Sequence, residues 1–371
     1  MTGPRFTDLI ARLPETVPFV GPEGMERDRG ARFSARLGAN ESVFGPSPFA
    51  IAAMQDEAAD VWKYADATQH DLKGALSERL GCAPENLVMG GAGIDGLLGN
   101  LVRLLVAPGD AVVTSEGAYP TFNYHVVGFG GELHKVPYRD DREDAEALFA
   151  KAAEVDAKIV YLANPDNPMG SWHEGQGLER ALAALPEGCI LALDEAYIEF
   201  APEGTALPVA FDDPRVIRFR TFSKAYGMAG ARVGYAIGAP GLIRAFDRVR
   251  NHFEMNRPAQ VGALAALDDD TWLEEVLRLV EEAKARIGEI AIENGLVPLP
   301  SATNFVAIDC GRDGDFARKV LSALLDEGIF VRMPGVAPLD RCIRISAGTP
   351  ADLDALATAL PRALMRAQEA G

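Results

Sequence analysis

Cysteine is scarce in this sequence, and its few copies are not arranged as a metal or disulfide motif. Cys82, Cys189, Cys310 and Cys342 lie far apart and form no CxxC pair. Spacing of this kind indicates neither a metal cluster nor a disulfide framework. We therefore expect no bound metal and a reducing compartment, the cytoplasm.

Long apolar runs and basic clusters are also missing. No run reaches the roughly 18 apolar residues that a membrane span requires, and charged residues and proline interrupt the apolar residues of the N-terminal stretch MTGPRFTDLIARLPETVPF. Acidic residues outnumber basic ones by 54 to 36, a net charge of −18. Because no segment gathers Lys and Arg into a stripe for phosphates, we expect neither a membrane nor a nucleic acid as partner.

What is present is an alternation of short apolar runs and helical patterns between about residues 70 and 240. Such alternation predicts an α/β fold, in which a mostly parallel sheet is covered by helices on both faces. A chain of 371 residues fits one large and one smaller domain, and we expect residues 46–260 to form the large one. The predicted strands are NLVMG, AVVTS, KIVYLAN, CILALDEAY, VIRFRTFS and RVGYAIG.

The C-terminal third predicts the second domain. One long helical stretch, from LIRAFDRVRNHF to ARIGEIAIENG, links it to the first. A strand–helix–strand–strand–helix order follows, which is typical of a small α+β unit. We expect the smaller domain to combine residues 1–45 with residues 261–371.

One lysine stands among hydroxyls and glycines in TFSKAYGMAGARVGY, residues 221–235. A nucleophilic lysine needs desolvation or a nearby cation to lower its pKa, and a small glycine-lined turn would give a ligand access to Lys224. An ordinary solvated lysine at a turn would fit the same letters. The other candidate segments decide between these interpretations.

Two carboxylates follow a buried strand in LALDEAYIEF, residues 191–200. A partly buried Asp194 could keep the ring nitrogen of a bound cofactor protonated through a charge-assisted hydrogen bond, and Tyr197 lies three residues further on. A helix cap or an ion pair would use Asp194 equally well. The function of this segment can therefore be judged only together with the other candidate segments.

Two turns follow other predicted strands. NPDNPMG, residues 164–170, contains two X-Pro pairs that favour a rigid extended turn, which could present Asn167 as an amide donor. GGAGID, residues 90–95, precedes a helix, and its backbone amides could bind a phosphate. Either turn alone could be purely structural.

Taken together, these segments resemble the fold-type I pyridoxal 5′-phosphate (PLP) enzymes, and within them the histidinol-phosphate aminotransferase family. The similarity runs from LGANESVFGPSP through KYADATQHDLKGALSERLG to RISAGTP. It is most specific in LDEAYIEF and TFSKAYGMAGARVGY. The resemblance implies an aminotransferase that moves an amino group between an amino donor and a 2-oxo acid by a ping-pong route.

The resemblance also implies a role for each matching residue. Lys224 would carry PLP as a Schiff base and act as general acid and base, Asp194 would hold the ring nitrogen, and Tyr119 would stack on the ring. The phenolic oxygen would be bound by Asn167 and Tyr197. The phosphate would be held by Ala92, Gly93, Ser223 and Arg232, and by Tyr64 of a second subunit, which makes a homodimer the expected assembly.

The resemblance implies fewer residues for substrate binding than for cofactor binding. Arg344 would bind the anionic end of the amino donor, because a guanidinium matches a carboxylate or phosphate fork, with Arg332 assisting and Asn40 closing the site. The chain departs from the family at Phe19, where a tyrosine usually helps to bind the substrate phosphate, and at Met169, where threonine is usual. Ile94 and Gly96 also replace a hydroxyl and a carboxylate of the family motif.

These departures keep alternatives open. The donor could be histidinol phosphate or an aromatic amino acid, with 2-oxoglutarate and glutamate as the other pair. A decarboxylase of a phosphorylated amino acid on the same scaffold is the second hypothesis. A regulatory module that binds PLP as an effector is the third, but the first 45 residues are too few for a DNA-binding domain.

Overall fold

A seven-stranded sheet forms the centre of the protein, which a computed structural model describes over residues 3–15 and 20–369. The strands are β1 Ala35–Arg36, β2 Leu87–Ala92, β3 Ala111–Ser115, β4 Glu132–Val136, β5 Ile159–Ala163, β6 Ile190–Asp194, β7 Val216–Thr221, β8 Gly234–Gly238, β9 Val297–Pro298, β10 Phe305–Asp309, β11 Ile329–Phe330 and β12 Cys342–Ser346. The helices are α1 Asp8–Ala11, α2 Pro22–Arg29, α3 Pro48–Glu57, α4 His70–Leu80, α5 Gly93–Leu105, α6 Pro120–Gly128, α7 Ala145–Val155, α8 Gly175–Leu182, α9 Pro240–Ala245, α10 Arg257–Leu267, α11 Asp270–Glu293, α12 Gly314–Asp326 and α13 Pro350–Glu369.

The large sheet is parallel except for one strand. Its order is β2-β8-β7-β6-β5-β3-β4, and only β8 runs antiparallel to its neighbours. Alternate residues of the central strands enter different cores: Ile159 and Tyr161 face one cluster, and Val160 and Leu162 face the other. The sheet is therefore buried on both faces, which confirms the α/β fold class and explains why its strands are continuous apolar runs.

The six predicted strands of this sheet are confirmed, and β4 with the following helix α7 was not predicted. Polar side chains of β4 explain the omission, because most of its ELHKV residues are only partly buried or exposed. None of the described helices is long and apolar enough to cross a membrane.

A smaller unit is built around the antiparallel sheet β12-β10-β9, on which α12 and α13 pack. The predicted order of strands and helices is confirmed there. Residues of the N-terminal segment join this unit, because β1 pairs in parallel with β11, Ala35 opposite Ile329. The predicted division of the whole chain into residues 46–260 and the remainder stays a prediction.

The prediction of a single long helical stretch was wrong. It is interrupted between α9 and α10 by a 3₁₀ turn and an irregular segment, and again between α10 and α11. Two N-caps explain the new starts: the side chain of Asn256 accepts a hydrogen bond from the Ala259 amide, and that of Asp269 accepts one from the Trp272 amide. Each cap satisfies a free amide of a helix N-terminus and so favours a fresh helix there.

Candidate active site

The carboxyl ends of the parallel strands bring the predicted segments together. β6 ends at Asp194, next to Ala163 of β5 and Phe219 of β7. The turn with Asn167 follows β5, and the segment with Lys224 follows β7. Ligands of parallel sheets bind at this edge, so the topology places these side chains around one cleft.

Lys224 has a half-buried side chain whose amine lies inside this cleft. Its Nζ donates to the backbone carbonyl of Asn40 at 3.0 Å and lies 5.6 Å from the centroid of the Tyr197 ring. Burial, helped by the guanidinium of Arg344, lowers the pKa of Lys224 to about 8. An amine with a lowered pKa is available as a nucleophile and base near neutral pH.

Asp194 is buried at the end of β6. Its Oδ2 accepts from the hydroxyl of Tyr161 at 2.6 Å, and its Oδ1 accepts from the amide of Ala196 at 3.0 Å. Burial raises the pKa of Asp194 to about 6, against the effect of these hydrogen bonds. The carboxylate therefore gains most from a ligand that brings a positive charge to it.

Gly93 and Arg232 form the opposite end of the cleft. Gly93 starts α5 with a φ of +68°, and a Cβ there would lie 2.9 Å from Nη2 of Arg232. That Nη2 donates to the carbonyl of Ala92 at 2.8 Å and lies 3.5 Å from Oδ2 of Asp95. A helix N-terminus beside a guanidinium favours an anion.

Two more predicted residues border this anion site. Ser223 is buried, and its hydroxyl accepts from Thr221 Oγ1 at 3.0 Å. The hydroxyl of Tyr119 donates to Oδ1 of Asp95 at 3.2 Å. Burial raises the pKa of Tyr119, so the phenol stays protonated.

Asn167 and Tyr197 are each hydrogen-bonded in a way that leaves them a hydrogen to donate. Asn40 Nδ2 donates to the hydroxyl of Tyr197 at 2.9 Å, which leaves the Tyr197 proton for another acceptor. The Oδ1 of Asn167 accepts from Nη1 of Arg344, which leaves the Asn167 amide NH₂ for the same use.

Arg344 lies in β12, and its side chain is partly buried next to Asn167. Its Nη2 donates to the carbonyl of Gly38 at 3.3 Å, and its Nε has no hydrogen-bond partner among residues 3–15 and 20–369. Arg332 pairs with it through the backbone and donates to the carbonyl of Val20. Phe19, at which the chain departs from the family, lies outside the described residues.

The structure does not bring Tyr64 into this cleft. Its side chain is 81% exposed, and its ring packs on Phe253 with centroids 4.9 Å apart. Several residues that the sequence did not single out lie in the cleft or beneath it, because the fold brings them there from distant segments. They are Asp95, Glu143, Tyr161, Asp166, Asn304 and Ser346.

Known proteins are similar to this chain over nearly its whole length. Residues 35–360 match the family described as Aminotransferase class I and II. Histidinol-phosphate aminotransferase 2 of Pseudomonas aeruginosa is 36% identical over 96% of this chain and 96% of its own. The enzyme of that name from Moorella thermoacetica is 33% identical over 94% and 90%.

A solved structure is more similar still. The histidinol-phosphate aminotransferase of Sinorhizobium meliloti, solved in complex with pyridoxal-5′-phosphate, superposes with a TM-score of 0.95 and is 54% identical over 98% of each chain. An aspartate aminotransferase of Thermus thermophilus shares the fold with a TM-score of 0.80 at 21% identity. The chain therefore belongs to the class I and II aminotransferases, within their histidinol-phosphate aminotransferase family, a family of PLP-dependent enzymes.

Proposed function

We propose that this protein is a histidinol-phosphate aminotransferase that exchanges an amino group with 2-oxoglutarate or glutamate by a ping-pong route. The observation that carries the proposal is the partly desolvated amine of Lys224 in one cleft with the buried Asp194 carboxylate. The substrate name comes from the relatives, which are histidinol-phosphate aminotransferases. Since they are aminotransferases, they do not favour the decarboxylase hypothesis.

The residues of the cleft fit PLP in charge and in hydrogen-bonding capacity. A glycine with positive φ at a helix N-terminus, next to Arg232, suits the phosphate. The free hydrogens of Asn167 and Tyr197 suit the phenolic oxygen, and the buried carboxylate of Asp194 suits a protonated ring nitrogen. The proposed cofactor residues are Tyr64 of a second subunit, Ala92, Gly93, Tyr119, Asn167, Asp194, Tyr197, Ser223, Lys224 and Arg232.

When bound, PLP supplies an electron sink that makes the Cα proton of an attached amino substrate acidic. Asp194 would keep the ring nitrogen protonated through a charge-assisted hydrogen bond. Lys224 Nζ, with a pKa of about 8, can both take and return a proton near neutral pH. Tyr197, whose pKa burial raises to about 12, keeps its proton and so acts as a donor rather than as a base.

Arg344 and Arg332 are proposed to bind the anion of the substrate. Burial lowers the pKa of the Arg344 guanidinium, and its Nε lacks a partner in the part of the chain that the structure describes. A substrate anion would supply this partner, and Asn40 would close the site through Tyr197. The adjacent Arg332 gives a second positive charge, which suits a phosphate better than a lone carboxylate.

We also propose a cytoplasmic homodimer with small-molecule substrates as its ligands. Tyr64 and Trp62 are 81% and 78% exposed, and aromatic side chains of this kind are enriched at protein interfaces. A partner subunit that covers them would bring each Tyr64 to the other cleft. Residues 46–260 would form the large domain, and residues 1–45 and 261–371 the small one.

The first test is covalent. Protein incubated with PLP is reduced with borohydride, digested and analysed by mass spectrometry, with Lys224→Ala as the control. We expect one pyridoxyl adduct, on Lys224. An adduct elsewhere, or none, would contradict the assignment.

The second test is the substrate. Histidinol phosphate, phenylalanine and tyrosine are each offered with 2-oxoglutarate, and glutamate and carbon dioxide are measured. We expect glutamate with histidinol phosphate at the highest kcat/KM. Reaction with aromatic amino acids alone would change the substrate but keep the reaction type, and carbon dioxide without glutamate would support the decarboxylase.

A further inference from the structure

Two buried carboxyl groups lie beneath the turn that carries Asn167. Glu143 precedes α7 and Asp166 follows β5, and each residue is only 1% exposed. Their carboxyl groups lie close enough for a hydrogen bond between them. Two carboxylates in contact in a buried site cannot both be ionised without a large electrostatic cost.

The surroundings supply the pair with neutral donors. Asp166 accepts from the hydroxyl of Tyr138 at 2.8 Å and from the amide of Met169 at 3.0 Å. Glu143 accepts from the hydroxyl of Ser115 at 2.6 Å and from the amide of Ala163 at 2.9 Å. These four bonds fix both groups but bring no positive charge into contact with them.

Other titratable groups face the pair without neutralising it. Arg344 acts on Asp166 through space and favours its ionised form, whereas Asp194 disfavours ionisation of Glu143. The titratable side chains around the pair are Tyr138, Tyr161, His173, Asp194, Tyr197 and Arg344. One negative charge on the pair balances Arg344, and a second would be unpaired.

Asp166 also shapes the turn that presents Asn167. Its side chain holds the Met169 amide, its carbonyl accepts from the Gly170 amide at 3.1 Å, and its own amide donates to the Ser171 carbonyl at 2.8 Å. A shift of the Asp166 carboxylate would therefore move the turn. Asn167 lies inside this turn, and its side chain contacts Arg344.

We propose that Glu143 and Asp166 share one proton, and that this acid pair positions Asn167 for the cofactor. The role of Asn167 rests on the proposed function, whereas the shared proton does not. Burial raises the pKa of both carboxyls, to about 7 for Asp166, which agrees with a proton retained near neutral pH.

The sign of the pH effect follows from this. A carboxyl whose pKa is raised on folding binds its proton more tightly in the folded state, so the free energy of unfolding falls as the pH rises from its unfolded to its folded pKa. Loss of the shared proton would leave two charges in contact and loosen the turn. Affinity for PLP should then fall on the alkaline side.

The test uses Glu143→Gln, whose amide can donate permanently to Asp166 and cannot ionise. The matched control is Glu199→Gln, because Glu199 is a carboxyl with a burial-raised pKa of about 7 on the sequence segment that follows β6, outside the pair. Infrared spectra of the cofactor-free proteins are recorded against pH. In the wild type we expect a protonated-carboxyl band that persists at neutral pH. This band should lose intensity in Glu143→Gln. In Glu199→Gln the part of the band that is due to Glu143 should remain.

A second readout follows the cofactor. The dissociation constant for PLP is measured from about pH 6 to about pH 9 in all three proteins. Because deprotonation of Lys224 affects each of them alike, loss of the pair's proton appears as a rise of up to about tenfold per pH unit relative to Glu143→Gln. We expect Glu143→Gln to flatten the rise and Glu199→Gln to retain it. If Glu143→Gln does not fold, Asp166→Asn, which also leaves a single ionisable carboxyl, takes its place.

Two results would overturn the proposal. If the wild type shows no such infrared band at neutral pH, the two carboxyls do not share a proton, whatever the enzyme's activity. If Glu143→Gln loses the band but its dissociation constant for PLP still rises on the alkaline side as in the wild type, the two carboxyls share a proton that does not position Asn167. Failure of the proposed function would instead appear as wild-type protein that binds no PLP at any pH.

Discussion

At the scale of single residues, Lys224 and Asp194 have pKa values that move toward each other. Burial lowers the pKa of the lysine to about 8 and raises that of the aspartate to about 6. Opposite shifts of this kind in one cleft are characteristic of catalytic sites. In the proposed function, PLP would bring a positive ring nitrogen to the carboxylate and an aldehyde to the amine.

Replacement of Asp194 by asparagine tests the first half of this pairing. We expect kcat to fall about tenfold to a hundredfold, because a hydrogen bond to a charged group contributes roughly 1.5–3 kcal/mol and the ring nitrogen would lose its proton. Reconstitution with a PLP analogue whose ring nitrogen is permanently positive should restore part of the rate. Equal losses with both cofactors would point to a purely structural role.

The pH dependence of Lys224 tests the second half. Since only the free amine attacks an aldehyde, the rate at which cofactor-free protein develops the PLP absorbance should rise about tenfold per pH unit below the lysine pKa and level off above it. The pKa of about 8 places this plateau near pH 8. Arg344→Gln, which removes a neighbouring positive charge, should move the plateau to higher pH. A rate independent of pH would exclude this amine.

The sequence predicted these residues because each follows an apolar strand inside a distinctive motif. It did not predict Glu143, Tyr161 or Asn304, whose neighbours in the sequence carry no such motif. Asn304 donates to the Asn40 carbonyl at 3.2 Å, the same oxygen that accepts from Lys224. Contacts across 264 residues depend on tertiary packing, which local patterns do not encode.

At the scale of elements, the junction between β2 and α5 would carry the proposed phosphate site. The strand ends at Ala92, and the helix begins at Gly93. The alternation of apolar runs was sufficient to predict this junction and the strands of the large sheet. It could not predict β1, which is two residues long and depends on β11 for its pairing, nor the breaks that side-chain caps introduce into the long helical stretch.

Gly93→Ala tests the junction, with Gly81→Ala as a matched control. The two glycines have φ of +68° and +67°, but a Cβ at Gly81 meets nothing within 4 Å, whereas one at Gly93 meets Arg232. Both substitutions should lower the free energy of unfolding by about 1–2 kcal/mol, the cost of left-handed backbone for a residue with a side chain. Only Gly93→Ala should also raise the dissociation constant for PLP, measured by absorbance titration. Similar PLP affinities in the two variants would show that the junction does not contribute to PLP binding.

At the scale of the whole molecule, the one predicted cofactor residue that lies away from the cleft is Tyr64. Its exposure in a single chain and its place beside Trp62 are what a site completed by a second subunit would require. The sequence suggested this arrangement only through the family resemblance. No spacing or periodicity within one chain specifies what lies across an interface.

Mixing two inactive variants tests whether Tyr64 acts across the interface. Lys224→Ala removes the amine, and Tyr64→Ala should weaken PLP binding about tenfold to a hundredfold, the effect of one hydrogen bond to a charged group. In a mixed dimer, one cleft would contain both lesions, while the other would combine the intact Lys224 of one chain with the intact Tyr64 of its partner. If the variants are unfolded, mixed and refolded at limiting PLP, activity should therefore return to a substantial fraction of that of the wild type. A Tyr64 that serves its own chain would give no recovery, because every cleft would then keep one lesion.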